Sequence, residues 1–456
     1  MKRKNRLILL SFCVILFFLI APIILLYSQG YRFDFDKNKI VKTGGIFIEV
    51  SNTSAEIYIN EKFVDKTGFF ANTVLIENLL PKKYNIEVKK TDFQTWQKNL
   101  DIEEKQVTKV ENILLVKQNI PFNVLEQNIE EFLVSEDQKK ILFKETQEQG
   151  WTLEELTFDS GLRKTILEEK DLIELGVSFT SVAELKWNTE ENRILIKTKD
   201  SKENIIYLLS DYNLEEPILS EINLLDKEVK NILFNPNNQN EIFYLKDQTI
   251  FKKDITSKES ESRIFLNNII TFEATKDYML WLSTSGFIFK ENYLDETKET
   301  LNEKPFSIKL EKEYKIKEQN SRIFLLEDNT IYYVSPGQTL KKIMDNFKGV
   351  KVLSDSQKAI CWNNHEIWIL KFGPSYTKIF LNRFSETIED CLWFNPDYLI
   401  FNLGDQIKIS ETDTRDKINI FSIKELKNPK IFYNNSLENL YIFSENNLFS
   451  SNSILR

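Results

Sequence analysis

The chain has 456 residues, a formal net charge of −9 and one histidine. Its Lys and Glu residues are interspersed, whereas nucleic acid or an anionic lipid surface is normally met by a dense basic patch, so a nucleic-acid partner is disfavoured. A single histidine argues against Ser-His-Asp triads and multi-histidine metal sites. The chain is too long for one ordinary hydrophobic core, and at least two domains are expected.

The N-terminal segment has the pattern of a membrane anchor. The basic run 1–6, MKRKNR, precedes an uncharged apolar run, 7–27. In a helix rising about 1.5 Å per residue this run spans about 30 Å, the thickness of a bilayer's hydrocarbon core. Because basic residues stay on the cytoplasmic side, we expect 1–6 in the cytoplasm, 7–27 in the membrane and the rest of the chain extracytoplasmic.

Two alternatives to an uncleaved anchor involve cleavage. A signal peptide has an apolar region of about 7–15 residues and a small-x-small site. The run here is longer, and Leu26 stands where a small residue is needed. A lipoprotein signal would use Cys13, but the bulky Phe12 precedes it and most of the apolar run follows it. The uncleaved anchor is the preferred interpretation.

The composition of the remaining chain favours strands. It contains most of the 34 Phe and 16 Tyr, residue types that are enriched in β-sheets. The 12 Gly and 10 Pro are few for an all-β protein. We therefore expect Asn, which tolerates positive φ, to take the place of Gly in turns. Paired Asn residues fall between apolar runs at Asn237-Asn238, Asn363-Asn364, Asn434-Asn435 and Asn446-Asn447.

Residues 28–43 are predicted to form a connector, and residues 44–117 to form a small β-sandwich. In the second segment short runs of alternating apolar and polar residues are separated by turn signals, the pattern of a sandwich. The predicted strands are 46–50, 56–59, 73–76, 84–89, 96–102 and 110–116.

Segments of this region resemble the PEGA domain, in the same order as in that family. Residues 54–62 and 66–67 match its first strand and turn, and residues 76–81 and 84–93 match its later strand and turn. Turn residues depart from the family at Glu61, Gly68, Lys82-Lys83 and Asp92. The resemblance implies a non-catalytic envelope module that acts as a spacer or binding unit beside a membrane anchor.

Residues 118–456 repeat a polar turn followed by an apolar strand. The repeats are about 35–52 residues apart, as expected for four-stranded propeller blades. Residues 120–126 would close the ring by pairing with the last unit, since closure protects sheet edges. We expect seven or eight blades, with an open two-sheet β-solenoid as the alternative. The eight units begin at Ser135, Trp187, Phe234, Ala274, Glu318, Ser354, Phe394 and Tyr433.

The units resemble the short repeats of TolB-like and WD-like β-propellers. The hallmark of the TolB kind is an aromatic residue followed by Ser or Asn, Pro, Asp and Gly. Residues 234–237 and 394–397 match its opening best, and its Gly is absent from every unit. The resemblance implies a rigid ring whose loops and central channel carry recognition.

The sequence offers no catalytic, cofactor-binding or metal-binding residue. His365 is predicted to be a hairpin-tip residue rather than a catalytic base. Cys361 and Cys391 are predicted to be separate buried strand residues, with a disulfide between them as the alternative. Most of six tryptophans are predicted to pack between blades, and one or two to reach a surface pocket. These are Trp151, Trp187, Trp281, Trp362, Trp368 and Trp393.

Adjacent carboxylates are the remaining candidates for chemistry. Neighbouring residues in a strand point to opposite faces, so such pairs are expected to be solvated and to arise by chance. Glycosidases, however, need only two carboxyl groups held about 5–10 Å apart. A channel lined by two or more converging acidic groups would favour an enzyme. The pairs are Glu154-Glu155, Glu168-Glu169, Glu190-Glu191 and Glu389-Asp390.

The sequence therefore predicts an all-β ectodomain with one N-terminal transmembrane helix, a PEGA-like sandwich over 44–117 and a propeller over 118–456. The expected function is that of a non-catalytic, membrane-tethered envelope protein that binds a protein partner or a cell-wall polymer, without a cofactor. Its ligand-binding residues are unknown. The alternatives are a carboxylate-dependent extracellular glycan hydrolase or lyase, and a structural component that assembles with itself.

Overall fold

The computed structural model describes residues 3–68, 71–135, 138–148, 150–174, 182–188, 192–199, 204–212, 218–222, 224, 229–257, 260–373, 376–451 and 454. The first element is helix α1 (Arg3–Ser28). Its segment Leu10–Ser28 is long and apolar enough to cross a membrane and is not buried against the rest of the chain. A signal sequence near the N-terminus has the same features, so α1 is either kind of segment.

A β-hairpin follows the helix directly, where a connector was predicted. Strands β1 (Tyr31–Asp34) and β2 (Lys39–Lys42) pair antiparallel, so the segment 28–43 contains two strands that were not predicted. The Asp34 carboxylate accepts the backbone N–H groups of Asp36 and Lys37, at 3.0 and 3.2 Å, which stabilises the turn. Such Asx interactions are a strong local turn signal.

Residues 44–113 form two sheets that share one core. The first, in the order β6-β3-β9, has three strands, and the second, in the order β5-β4-β7-β8, has four. Six of the strands overlap the predicted ones, whereas the solvent-exposed edge strand β5 was not predicted. The strands are β3 (Gly44–Val50), β4 (Glu56–Ile59), β5 (Lys62–Lys66), β6 (Thr73–Leu79), β7 (Lys83–Lys89), β8 (Trp96–Asp101) and β9 (Val107–Ile113).

Two turns of these sheets adopt positive φ without glycine. Asn60 and Glu61, between β4 and β5, have φ of 48° and 66°, and Asp92 has φ of 66°. Glu61 and Asp92 stand where glycine is usual in the PEGA pattern. The backbone therefore keeps the left-handed turn although each of these side chains makes it less favourable than glycine would.

The remaining strands form eight four-stranded antiparallel sheets within the described residues, which we number ring sheets 1 to 8. A short helix, α2 (Glu169–Glu174), follows the first of them. Ring sheets 1 to 4 consist of β11 (Ile129–Val134), β12 (Lys140–Gln147), β13 (Gly150–Thr157) and β14 (Arg163–Glu168); β15 (Val182–Trp187), β16 (Arg193–Lys199), β17 (Ile205–Asp211) and β18 (Ile218–Glu221); β19 (Asn231–Asn235), β20 (Asn238–Lys246), β21 (Thr249–Asp254) and β22 (Arg263–Asn267); and β23 (Ile269–Ala274), β24 (Tyr278–Ser283), β25 (Ile288–Asn292) and β26 (Lys298–Thr300).

The last four ring sheets continue the same up-and-down order. Ring sheet 8 takes one strand, β10 (Phe122–Glu126), from ahead of the whole series. Ring sheets 5 to 8 consist of β27 (Tyr314–Gln319), β28 (Arg322–Glu327), β29 (Thr330–Val334) and β30 (Lys341–Met344); β31 (Phe347–Val352), β32 (Lys358–Asn363), β33 (Glu366–Lys371) and β34 (Thr377–Arg383); β35 (Ile388–Asn395), β36 (Tyr398–Leu403), β37 (Gln406–Glu411) and β38 (Ile420–Glu425); and β39 (Lys430–Asn434), β40 (Asn439–Ser444), β41 (Asn447–Ser451) and β10.

Hydrophobic clusters join the ring sheets into a closed ring. Each of the eight junctions between neighbouring sheets contains one cluster of buried side chains. The closing junction brings Phe143 of ring sheet 1 together with Tyr441 of ring sheet 8. Strand β10 pairs with β41, as predicted for residues 120–126, so the chain seals the ring with a strand from each end of the series. This arrangement is a β-propeller.

The repeated sequence units mark the turn between the first and second strands of each ring sheet. In four units an aromatic residue is followed by an Asn whose side-chain oxygen accepts backbone N–H groups of the turn. Asn395 accepts those of Asp397 and Tyr398 at 2.9 and 2.8 Å. The equivalent Asn side chains are those of Asn188, Asn235 and Asn434.

Asn supports the turns in two ways. Ten Asn residues in the described part of the chain have positive φ, as expected where Gly is scarce, but among the four predicted pairs only Asn446 does, at 61°. At the other three pairs an Asn side chain accepts a backbone N–H group of the turn instead. Asn363 is typical, because its side chain accepts the N–H groups of His365 and Glu366. An Asx turn of this kind needs no glycine, which explains how the repeats lack the hallmark Gly.

Candidate binding site in the central channel

The first strand of each ring sheet faces the axis of the ring. These strands contact one another around the axis, as β23 does β27 and β35 does β39. A cavity of about 1040 Å³ lies among the first strands β11, β27, β31, β35 and β39. Cavities of this volume accommodate small molecules and short polymer segments. We call it the channel cavity.

Charges of both signs line the channel cavity. Glu318, Glu389 and Asp390 contribute carboxylates, and Lys351 and Lys430 contribute ammonium groups. Amide side chains complete the polar lining, at Gln138, Gln319, Asn320, Asn402 and Asn428. The mixture of amides with both charge signs suits a polar ligand that itself carries donors, acceptors and charges.

Asp390 is the most protected carboxylate of the cavity. Burial raises its pKa, and nearby Lys351 and Lys348 partly oppose that rise by favouring the ionised form. The backbone N–H of Cys391 donates to its Oδ1 at 2.8 Å. Its own backbone N–H donates to the side chain of buried Asn402, whose Nδ2 donates to the Pro429 carbonyl at 2.6 Å. Asp390 is therefore held in position within ring sheet 7, and Asn402 links it to the segment that leads into ring sheet 8.

Lysines compensate the other charges around the axis. Glu389 forms an ion pair with Lys348 at 2.6 Å. Lys317 lies on the neighbouring first strand β27, and desolvation lowers its pKa. Glu273 opposes that effect, whereas Lys351 adds to it. A continuous electrostatic network thus follows the first strands from β23 to β35.

The four carboxylate pairs singled out in the sequence differ in their structural environment. Glu389 and Asp390 both line the channel cavity, and Glu389 keeps about half of its side chain exposed, as expected of a solvated residue. Glu154 and Glu155 are buried in β13 on opposite faces, where Glu154 accepts from Thr165 Oγ1 and Glu155 from Tyr212 Oη, each at 3.0 Å. Lys170 pairs with Glu168 at 2.7 Å in an exposed position, and Glu190-Glu191 lies outside the described residues.

The histidine and the two cysteines of the propeller are not among the residues that line the channel cavity. His365 is exposed at the tip of the β32–β33 hairpin, as predicted. Cys361 and Cys391 are free and buried in separate strands, and burial raises the pKa of the Cys361 thiol to about 12. Within the described ranges, no group of three His, Cys, Asp or Glu side chains has an arrangement that could hold a metal ion.

The tryptophans pack in the ring, as predicted for most of them. Trp151, Trp281, Trp362 and Trp393 are buried, and Trp187 and Trp368 are half-buried. None of these six side chains lines the channel cavity. A seventh, Trp96 of β8, is buried where the sandwich sheets meet ring sheet 7, and its Nε1–H donates to Glu411 at 2.8 Å.

That junction is the second polar cavity of interest, and sequence reasoning missed it. It has a volume of about 310 Å³ between β8, β9 and ring sheets 6 and 7. The Tyr398 hydroxyl accepts the Leu114 backbone N–H at 2.9 Å, and Arg415 donates to the Lys109 carbonyl at 2.9 Å. One hydrophobic cluster continues from the sandwich sheets into ring sheets 7 and 8. These partners are some 300 residues apart in sequence, so no local pattern identifies them.

Comparisons with known proteins match the chain at the level of fold only. No protein-family model matches the chain, and no curated protein matches it. The PEGA resemblance therefore remains a prediction.

Solved propellers that resemble the chain include the β-propeller domain of Myceliophteria thermophila Cps50 (Swd1), at 9% identity over 72% of this chain and 99% of that chain, with a TM-score of 0.38. Kluyveromyces lactis Hsv2 has 9% identity over 66% of this chain and 99% of that chain, with a TM-score of 0.40. A Bacteroides uniformis protein described as a 6-phosphogluconolactonase has 9% identity over 61% and 94%, with a TM-score of 0.35. At these values the neighbours carry no functional argument, and the propeller assignment depends on the ring sheets themselves.

Proposed function

We propose that this chain is a membrane-tethered protein of the cell envelope whose extracytoplasmic, eight-bladed propeller is a non-catalytic scaffold for a protein partner or a cell-wall polymer. Helix α1 would be the tether, because its apolar surface is unburied. The PEGA-like sandwich would be a spacer. The observation that carries the binding role is the channel cavity, which is large, polar and charged with both signs.

The charge balance of the cavity favours a partner with both donors and acceptors. Asp390 and Lys351 face the same space, so a polyanion would meet carboxylates and a polycation would meet lysines. A peptide loop, or a polymer of amino sugars with peptide substituents, presents both charges and amides. Such a ligand could pair with the lysines and the carboxylates of the cavity together.

The test is a retention assay with the full chain in lipid nanodiscs. Cell-wall polymer and detergent-solubilised envelope proteins are passed separately over the immobilised protein. We expect wild type to retain one of them, and Lys351→Glu to weaken retention at least tenfold, since reversing one charge creates repulsion beside Asp390. Lys62→Glu makes the same charge change on the exposed strand β5 and should retain the ligand like wild type.

Two results would contradict the proposal. Equal retention by wild type and Lys351→Glu would show that the channel cavity is not the binding site. Failure of every polymer and protein fraction to bind would reject the scaffold role.

A second candidate function is that of a carboxylate-dependent glycan hydrolase or lyase. The raised pKa of Asp390 is the observation that favours it. A carboxyl group with a raised pKa beside ionised carboxylates is the arrangement that glycosidases use for a general acid. Glu389 and Glu318 line the same cavity. Release of new reducing or unsaturated ends from polymer, lost in Asp390→Asn and kept in Asp397→Asn, would favour this function over the scaffold.

A further inference from the structure

The juxtamembrane hairpin β1–β2 has one face that no other described part of the chain covers. Cross-strand partners share a face, so Phe33 lies beside Ile40 and Tyr31 beside Lys42. Phe35, at the turn, packs edge-on against Phe33 with ring centroids 5.0 Å apart. Phe33, Phe35 and Ile40 are 43%, 85% and 59% exposed. We call these five residues the outward face.

The opposite face of the hairpin is fixed to the sandwich. Val41 is 3% exposed, and Arg32 Nη2 donates to Asn78 Oδ1 at 3.0 Å. Lys37 Nζ donates to the Pro81 carbonyl at 3.2 Å. The two-residue alternation of a strand therefore places every apolar side chain of the outward face away from the folded body. The hairpin is a rigid part of the sandwich rather than a loose linker.

The hairpin is also fixed to the end of helix α1. The Arg32 guanidinium lies over the Tyr27 ring, 3.3 Å from its centroid, and Nη1 donates to the Tyr27 carbonyl at 2.7 Å. The Thr43 backbone N–H donates to the Gly30 carbonyl at 2.9 Å. Only residues 29 and 30 separate α1 from β1. Two residues span at most about 7 Å, similar to the thickness of one headgroup layer.

The residue types of the outward face match a position in the headgroup layer of a membrane. The outward face combines three aromatic rings, Ile40 and the cationic Lys42, and it carries no carboxylate. The nearby Asp34 is buried, and Asp36 pairs with Lys82 at 3.4 Å. Aromatic rings with lysine are the residue types that favour the membrane–water interface.

We propose that the outward face of the β1–β2 hairpin is a lipid-binding surface, which lies in the headgroup layer and seats the sandwich on the bilayer. The proposal depends on the membrane tether of the proposed function. The hairpin would then make a second contact with the membrane that α1 crosses. Two contacts would fix the orientation of the sandwich and the propeller relative to the bilayer, which α1 alone would leave free to vary.

Site-directed spin labelling of the full chain in phospholipid vesicles tests this. Cys13→Ser removes the one exposed native thiol among the described cysteines, because Cys361 and Cys391 are buried. Single labels are then placed by Phe35→Cys, Ile20→Cys and Leu294→Cys. Ile20 lies in α1, and Leu294, 98% exposed, is in the turn after β25.

Accessibility to lipid-soluble oxygen, relative to a water-soluble nickel complex, is measured at each label. We expect the ratio at position 35 to be several-fold higher than at position 294, and the ratio at position 20 to be higher still. A lipid-accessible label at 20 with a water-exposed label at 35 would overturn the lipid-binding surface and leave the tether standing. A label at 35 shielded from both reagents would overturn it in favour of a protein contact. Water exposure at both 20 and 35 would reject the tether and this proposal together.

Discussion

Lys98 of strand β8 and Glu411 of strand β37 form an ion pair of 2.9 Å in which the two side chains are only 0% and 4% exposed. Glu411 also accepts the Trp96 indole N–H at 2.8 Å and the Asn419 backbone N–H at 2.7 Å. Lys98 donates further to the Asp413 carbonyl. An ion pair that is so fully shielded from water is stable only while every hydrogen-bond partner is present. It therefore favours one particular arrangement of the sandwich against the propeller.

Removing one member of that pair should destabilise the junction. We expect Lys98→Met to lower the free energy of unfolding by about 3–5 kcal/mol, because it leaves the Glu411 charge buried and uncompensated. Lys98→Met with Glu411→Gln should recover part of the loss, since Gln still accepts from Trp96. Urea unfolding of the full chain in detergent, followed by tryptophan fluorescence, measures both variants.

An exposed pair is the matched control for this prediction. Lys66 and Glu56 are 3.9 Å apart and about half exposed, and Lys66→Met should cost less than about 1 kcal/mol. Equal losses for Lys98→Met and Lys66→Met would mean that the buried pair contributes nothing specific to the junction.

Gly349 and Trp362 should behave as a coupled pair. They are cross-strand partners in β31 and β32, and a Cβ on Gly349 would collide with the six-membered ring of Trp362. We expect Gly349→Ala to lower stability by about 1–3 kcal/mol through overpacking. Trp362→Phe removes the colliding atoms, so the double variant should lose less than the sum of the two single losses. Strict additivity in urea unfolding would contradict the contact.

Asp390 should make stability depend on pH. Burial raises its folded-state pKa above the ordinary value near 3.8, so its contribution to stability is present below that value and is lost as pH rises through the raised pKa. We therefore expect Asp390→Asn to raise the unfolding midpoint at pH 7 and to leave it nearly unchanged at acidic pH. Thermal unfolding at several pH values checks this. An Asp390→Asn variant that is less stable than wild type at pH 7 would contradict it.

The strand that closes the ring can be tested with a disulfide. Asn123 of β10 and Ser450 of β41 are direct cross-strand partners, at a separation that a disulfide tolerates. We expect Asn123→Cys with Ser450→Cys, in a Cys13→Ser background, to stabilise the oxidised protein by up to about 5 kcal/mol, since it closes a very long loop. The same variant with reductant is the control. An oxidised form no more stable than the reduced one would show that ring closure does not limit unfolding.

The repeated turns could be predicted from the sequence because each is specified by residues that are close together in the chain. An aromatic residue, an Asn and an apolar run lie within about ten residues, and the side chains of Asn395 and Asn434 accept backbone N–H groups of their turns. The hairpin β1–β2 was missed because two four-residue strands resemble a polar connector. Strand β5 was missed because an exposed edge strand shows no alternation of burial.

The candidate site could not be predicted from a local sequence signal. Glu318, Lys351 and Asp390 come from three ring sheets, and each looks like an ordinary charged residue in a polar turn or strand end. Only closure of the ring places them around one cavity. Glu389-Asp390 is instructive, since the alternation rule describes a regularly paired strand, whereas the pairing register of β35 shifts between Ile388 and Cys391 and both carboxylates line the cavity.

The pairing of β10 with β41 also means that the propeller ring can close only after the last strand has been synthesised. Residues 127–446 separate the two strands, and a ribosome delivers β10 long before its partner. During that interval the nascent chain presents unpaired strand edges to its surroundings, which is the condition under which β-rich chains associate wrongly. A chain interrupted anywhere before β41 would carry a permanently open ring. The growing chain is therefore most open to wrong association in the interval before its last strand is made.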